Sequence, residues 1–587
     1  APRSPGSRLQ GAYAALLRFL LRWRRVKLCA YIIPIAVIFF VGAQLGQEIF
    51  PHVDSGQFQL RVRAPAGTRI EQTEEIGLQA LEIIKSVVGP ENVEMTVGFG
   101  GVSPSSYTIN TVYVWTGGPE EVLLRVALKH GSGQRIEDVK HKLRAELPER
   151  LGAWLRKRLR TLGVAEDRIA ERLADLRFSF EPADIVNEVM SFGSPTPVSV
   201  SIDSPDIAAT RRHAEKVRAQ LAHIESLHDL QYVESYNYPT VEVAVDRQRA
   251  GKSKVTTDEV ARAMVAYTSS SRFVMPNYWV DPKSGTGYQV QVEVPPVQMD
   301  SVKEVELVTV KQSGGGHISL RDVARVREGV APGQVDRYNM RRTVTLTANI
   351  EGEDLGRVSR RIDAALKAAG EPPRGVRVSV RGQIVPMRQM FAGLTQGLGL
   401  TVVAILILLL AYFQSLRLAI VVVSTVPAVL AGVVLMLFVT RTTLNIQSCM
   451  GAIMSIGVAV ANAILLVTFA ERSRQGGASA VEAALAGARG RLRPILMTSL
   501  AMISGMVPLA LALGEGGEQT APLGRAVIGG LLAATLATLF VLPSVFVAMN
   551  WLRISSRSVS LHPRDPESPY FVAEEHPPIE PASGGTA

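Results

Sequence analysis

The sequence predicts an α-helical membrane protein of six spans that carries one large α+β insert. Six apolar stretches lie at residues 27–46, 396–413, 418–439, 444–470, 494–513 and 526–550. Each has about 18 to 27 residues without Asp or Glu, enough to cross a hydrocarbon core of about 30 Å. Residues 47–395 are ordinary globular sequence in which strand and helix patterns alternate. Basic residues set the orientation. Arg22, Arg24, Arg25 and Lys27 precede the first stretch, and Arg417 sits in a short turn. Arg472, Arg474, Arg489, Arg491 and Arg493 fill the next loop on that side, and Arg553 and Arg557 follow the last span. The alternate turns, 440–443 and 514–524, hold only Arg441 and two glutamates. The positive-inside rule then places both termini in the cytoplasm and the insert outside.

The elements follow in order. Within 1–26, Leu16, Leu17, Phe19, Leu20, Leu21 and Trp23 stand among arginines, which reads as a basic interfacial helix or as an extension of the first span. In the insert, Phe58, Leu60 and Val62 alternate with Gln59, Arg61 and Arg63, the period of a half-buried strand. Residues 65–68 make a turn, and Thr68 is placed to cap a helix reaching Val88, with Glu71 as its capping-box partner. Strands are expected at 94–98, 111–114 and 122–129, then a helical stretch at 136–174 and a strand at 177–180. A second unit runs from a strand at 198–202 through a helix at 208–224 to a strand at 240–245. A third set comprises 343–350, a helix at 358–369 and 376–381. These patterns suggest compact α+β layers of the ferredoxin-like, split βαβ type. Residues 284–287 and 314–316 are loop tips, and the polar, Pro-rich tail 551–587 is expected to be disordered.

Composition excludes several classes. The net charge of +10 comes largely from the topology-setting arginines and a basic helix around 144–160, so nucleic acid is not implied. Cys29 and Cys449 both lie in spans, so no disulfide framework supports the insert. No small-residue cleavage site follows the first span. His130, His141, His213, His223 and His228 have no metal-ligand spacing, and no phosphate-binding glycine loop is present. Neither an enzyme nor a bound metal or cofactor is expected.

Three segments resemble a known family: IFPHVDSGQFQLRVRAPAGTRIEQTEE at 49–75, GVAVANAILLVTFAERSR at 457–474, and the stretch 491–532 that opens RLRPILMTS and contains GEGGEQTAPLG. Together they resemble the carboxy-terminal half of a resistance–nodulation–division efflux permease, of the type exporting hydrophobic and amphiphilic compounds. The resemblance implies two porter subdomains, roughly 58–192 and 197–241 with 335–383, around a docking subdomain at about 242–331. It further implies an amino-terminal half of the same permease, a homotrimer, a periplasmic adaptor, an outer-membrane channel and protons as the coupling ion. It implies the inner membrane as location.

Site residues come from both sources. Secondary transport needs ionisable groups inside the membrane, yet the spans offer no Asp or Glu. By resemblance, Ala461 stands where the family can carry a lysine, and Asn462 beside it either hydrogen-bonds a carboxylate of the other half or serves as interhelical glue. Arg491 and Thr498 match an arginine and a threonine of the family's proton relay. Seven residues apart, they share one helix face about two turns apart, although Thr498 could also bond back to its own helix. For an amphiphile cleft, the segment 178–186 resembles the family's cleft lining and nominates Phe178 and Phe180, which core packing would equally explain. Gln59 and Arg61, on the polar face of the first strand, are weaker candidates. Gly451, Gly457, Gly505, Gly529 and Gly530 are expected to let spans approach closely. Two other functions stay open: heavy-metal efflux by a relative of the same plan, and a half-size accessory protein for protein or lipid export.

Overall fold

The computed structural model describes residues 5–551 except 23, 52, 102–115, 130, 184–188, 192, 296–297, 300, 314–315 and 515, and except the side chains of 5–9, 20, 22, 24–30, 313 and 551. The strand expected at 111–114 and the tail beyond 551 lie outside the described residues.

Helix α1 (Pro5–Arg22) buries Tyr13, Leu17 and Leu21 against the membrane bundle and leaves Leu16 and Phe19 exposed, as an amphipathic helix does. Helix α2 (Arg24–Gly42) ends at Gly42, four residues before the predicted end. The chain then runs through Gln47, whose N–H donates to Asp354 at 2.8 Å, and forms a bridge to Leu444.

The insert opens with β1 (Gln57–Arg63) and α3 (Ile70–Val88), followed by β2 (Val93–Gly100), β3 (Glu121–Leu128), α4 (Ile136–Thr161), α5 (Glu166–Ala174) and β4 (Arg177–Glu181). The strands make one antiparallel sheet in the order β2–β3–β1–β4. One face packs Phe58, Leu60, Val62, Leu124, Val126 and Phe180 against α3 and α4. Helix α4 contributes a stripe, Ile136, Val139, Leu143, Leu147, Leu151, Leu155 and Leu159, at the three-and-four spacing of one helix face. Burying each such side chain contributes roughly 1.5–3 kcal/mol. Two local expectations fail here. Arg69, not Thr68, precedes α3, because the Thr68 hydroxyl donates instead to Pro65 O and closes the turn. The predicted helix 136–174 is broken around Gly163, whose φ of +75° ends α4.

A second unit comprises β5 (Val198–Asp203), α6 (Ile207–Leu221) and β6 (Leu227–Tyr232). A third lobe follows: β7 (Tyr238–Val245), α7 (Thr257–Thr268), the hairpins β8 (Asn277–Val280) with β9 (Gly287–Val290) and β10 (Thr309–Ser313) with β11 (Gly316–Ser319), and β12 (Ala324–Ala331), which pairs with β7. The chain returns to the second unit through β13 (Arg337–Tyr338), β14 (Arg341–Ile350), α8 (Leu355–Ala368) and β15 (Arg377–Gly382). The sheet order is β13–β14–β5–β15, with β6 also on β14. The return strand of the second unit is therefore β6. The expected return, 240–245, belongs to the stem of the third lobe.

The membrane bundle consists of α9 (Ile384–Phe413), α10 (Leu416–Val423), α11 (Val426–Val439), α12 (Ile446–Gln475), α13 (Ala480–Ala510), α14 (Gly517–Leu536) and α15 (Leu542–Trp551). Five helical stretches are long and apolar enough to cross a membrane, while the described apolar part of the amino-terminal helix, Tyr31–Gly42, is shorter. Helix α9 begins twelve residues before its predicted span, inside the second unit. Ile384 and Met387 join that core, and Arg388 bonds Ser359 and Asp363. Helix α13 likewise starts well before residue 494. The third span is two helices, because Pro427 has no N–H to offer, and the Tyr31 hydroxyl donates to Ser424 O at 2.6 Å in the gap. A π-turn at Ala537–Val541 precedes Pro543. Pro543 cannot bond the carbonyl four residues back, Leu539 O, and Tyr13 takes it at 2.7 Å.

Small residues pack the spans, though not all of those expected. A Cβ on Gly432 would lie 2.3 Å from the Cβ of Ala533, and one on Gly529 would lie 2.5 Å from Gly432 O. Gly451, Gly487 and Gly530 are similarly crowded, whereas Gly457 and Gly505 face open space.

Candidate functional site

The alternation that builds β1 sends Gln59, Arg61 and Arg63 to the face away from the core. That face is not solvated. The register sets Gln59 between Arg125 and Glu181, and Arg63 beside Glu121. Arg61 is 7 % exposed. Its Nε donates to Glu181 Oε1 at 2.6 Å, and its terminal nitrogens reach Glu181 Oε2 at 3.2 Å and Glu121 Oε2 at 3.3 Å. Gln59 Nε2 donates to Glu181 Oε2 at 2.7 Å, and Gln59 Oε1 accepts from Arg125 at 2.8 Å. Burial alone would lower the pKa of Arg61, but the charges of Glu181 and Glu121 outweigh it and hold the guanidinium above its ordinary value. Burial likewise opposes ionisation of Glu121, and Arg63 and Arg61 overcome it and hold that carboxyl low.

The second unit covers this polar face. Arg63 donates to Tyr232 O at 3.0 Å and Val233 O at 2.7 Å. Asn349 on β14 donates to Ser179 and to Asp229. Asp229, at a φ of +56° that non-glycine residues adopt rarely, also accepts from Phe180 N at 3.0 Å and from Arg144 at 3.1 Å. Arg144 bonds Glu351 as well. A charged cleft thus joins the two units. Phe178 and Phe180 lie on the opposite, core face of β4. Phe180 is 2 % exposed and stacks 6.4 Å from Phe58, and Phe178 packs against the same cluster. The cleft assignment of these two aromatics is corrected to core.

Glu234 lies beside the cleft, buried, with both carboxylate oxygens accepting from Thr345 N and one from the Tyr236 hydroxyl. Burial pushes its pKa up to about 7, helped by Asp336. A raised carboxyl contributes stability that is complete below about pH 4.5 and is lost as pH climbs through 7, worth at most about 3 kcal/mol. Glu234→Gln should flatten that loss. Thermal unfolding of both proteins between pH 5 and 8 checks it, and parallel profiles would show that Glu234 does not titrate there.

The membrane residues are less gathered. Asn462 on α12 is half-buried, next to exposed Ala461. On α13, Arg491 lays its guanidinium 4.1 Å over the Phe469 ring, with Nε lacking a hydrogen-bond partner among the described residues. Thr498 is exposed, and its hydroxyl bonds back to Pro494 O and Ile495 O, each at 3.1 Å. Ser499 is buried and shares a 2.8 Å hydrogen bond with Thr535 of α14. Arg491 and Thr498 therefore sit on one helix but point at different surroundings.

Glu121, Glu181, Glu120, Arg63 and Asp229 were not singled out from the sequence. The available signal was charge complementarity: one face of β3, β1 and β4, neighbours in the sheet, carries Arg61 and Arg63 against Glu121 and Glu181.

The AcrB/AcrD/AcrF family profile matches residues 6–115 and 164–550. Among curated relatives, the cobalt-zinc-cadmium resistance protein CzcA of Cupriavidus metallidurans is 28 % identical over 371 residues, 61 % of this chain and 34 % of its own length. The multidrug resistance protein MdtC of Klebsiella pneumoniae is 24 % identical over 552 residues, 93 % of this chain and 49 % of its own. A crystal structure of a heavy metal efflux pump superposes with a TM-score of 0.76 at 22 % identity, covering 92 % of this chain and 52 % of that one. This chain spans about a third to a half of the length of these relatives.

Proposed function

The chain belongs to the AcrB/AcrD/AcrF family of resistance–nodulation–division permeases, and on that premise we propose that it is the second half of an inner-membrane, proton-driven exporter of hydrophobic or amphiphilic compounds. The observation that carries the substrate class is Arg61. It occupies the cleft between Glu121 and Glu181, so the acids that would ligate a metal ion are already paired with a guanidinium. Among the described residues no group of three His, Cys, Asp or Glu is placed to hold a metal ion. Heavy-metal export is the second reading, and the names of relatives such as CzcA favour it.

The proton acceptor then comes from the other half of the permease, because the six apolar stretches read from the sequence carry no Asp or Glu. The arginine asymmetry supports cytoplasmic termini and a periplasmic insert. A homotrimer with a periplasmic adaptor and an outer-membrane channel completes the reading by family likeness.

The test is tolerance. Cells lacking their own pumps receive the two-half permease with adaptor and channel, and growth is scored against amphiphilic dyes and detergents and against Zn²⁺, Co²⁺ and Cd²⁺. A several-fold gain confined to the amphiphiles is expected. A gain confined to the metal ions would establish the second reading, and no gain in either would favour the accessory-protein function. Cysteines at Lys283 and Gly476 should label with an impermeant reagent from outside and inside respectively.

A further inference from the structure

Beside the Arg61 cluster lies a cavity of about 260 Å³, bounded by Arg63 and Gly117 to Glu121 of the first unit and by Tyr238, Gly333 and Gln334 of the stem leading to the third lobe. Glu120 is 4 % exposed, and its Oε2 has no hydrogen-bond partner among the described residues. A buried carboxylate oxygen without a partner is costly, so what stands around it decides its role.

The nearby cations are already engaged. Arg63 is spent on Glu121 and on two carbonyls, and Arg61 on Glu181 and Glu121. Arg61 and Arg63 are thus paired with Glu181 and Glu121, and no arginine bonds Glu120 Oε2 among the described residues. The other polar groups at the wall are acceptors or neutral. Gln334 gives one of its two amide N–H groups to Asp336 at 2.6 Å and carries no charge. Tyr238 supplies an aromatic wall, close enough to Gly333 that a Cβ there would lie 2.9 Å from its ring. Burial first, then Glu121 and Asp175, push the Glu120 carboxyl above its ordinary range, which a hydrogen bond from its own backbone N–H and the charge of Arg63 only partly offset.

We infer that this cavity binds a small organic cation, an ammonium head on a short apolar body, with Glu120 as counter-charge and Tyr238 as apolar wall. Carboxylate and aromatic ring together recognise such a group by charge and by cation–π attraction. At about 30 Å³ per water-sized group the space holds roughly nine non-hydrogen atoms. A single free carboxylate oxygen is a poor cage for a metal ion, which needs several ligands. The inference rests on the exporter reading above, since it names one substrate class for a cavity beside that cleft.

The probe is phenyltrimethylammonium, measured by equilibrium dialysis against the purified two-half permease, with tert-butylbenzene as its uncharged isostere and Zn²⁺ as the metal arm. The wild type should bind the cation saturably and at least ten-fold tighter than the isostere. Glu120→Gln should weaken the cation at least ten-fold. Tyr238→Leu should weaken it several-fold, while Tyr238→Phe keeps the ring and binds as the wild type does. If Glu120→Gln fails to fold, the Tyr238 pair carries the test from the opposite wall. No saturable binding by the wild type, equal binding by Glu120→Gln, or Zn²⁺ binding lost in that variant would each overturn the organic-cation site. Export of an uncharged amphiphile by the wild type is scored separately. Export without cation binding removes this site and leaves the exporter reading standing, whereas binding without any export does the reverse.

Discussion

Arg61→Met should destabilise the first α+β unit by about 3–5 kcal/mol, because breaking a buried ion pair from one side strands the other charge. Methionine keeps most of the stem volume, so the loss is electrostatic rather than a cavity. Glu181, 1 % exposed, would keep only Gln59 as a donor among the contacts described above, while Glu121 would keep Arg63 and the Gly117 N–H. The loss should therefore come mainly through Glu181. The double variant Arg61→Met with Glu181→Gln should recover a large part of it, since a neutral amide pays far less for burial than an unpaired carboxylate. Thermal unfolding and the yield of intact permease in membranes read the effect. If the single variant is as stable as the wild type, Glu181 is reached by solvent, and the cleft is not the dry interface described above.

The parts of the fold legible in the sequence were those where one force dominates. Twenty-odd apolar residues without a charge admit little besides a span, so the bundle could be read from residues 396–550. The strict alternation at 58–63 likewise fixed β1. Boundaries failed where a helix outlives its hydrocarbon stretch. Residues 384–395 and 480–493 are helical, yet packing against α8 and polar capping at Ser479, not hydropathy, hold them. Strand β6 escaped notice because its sequence, Leu-His-Asp-Leu-Gln-Tyr, buries no residue fully. Its pairing with β14 and the side chain of Asp229 define it. The site was legible by residue type and not by role. Gln59 and Arg61 do stand at the junction of two units, but the acids that make them a cluster lie about 60 and 120 residues away. Phe178 and Phe180 were ambiguous because an aromatic on a strand serves core or cleft equally well, and only the packing of β4 on α4 separates the two.

In the two-half permease, Asn462→Leu and Thr498→Val should cut efflux by roughly 5- to 150-fold, the equivalent of about 1–3 kcal/mol for a polar partner left unpaired. Asn462 is half-buried beside exposed Ala461, on a stretch of α12 that the described residues leave incompletely covered. On the proposed reading, its amide orients a carboxylate contributed by a second half of the permease. Thr498 spends its hydroxyl proton within its own helix, on Pro494 O or Ile495 O, so what it offers to a water path is its lone pairs. The valine variant keeps the shape and removes them. Ser499, one position along, is the informative contrast. It is buried at 3 % exposure against Thr535 of α14, so Ser499→Ala should lower stability by about 1 kcal/mol with little change in efflux per folded permease. The two phenotypes are opposite in kind: melting temperature falls for Ser499→Ala, and turnover falls for the other two at normal abundance. Normal turnover in both Asn462→Leu and Thr498→Val would reduce them to packing groups. The proton route would then have to be sought near Arg491, whose Nε lacks a partner among the described residues and whose guanidinium rests on Phe469.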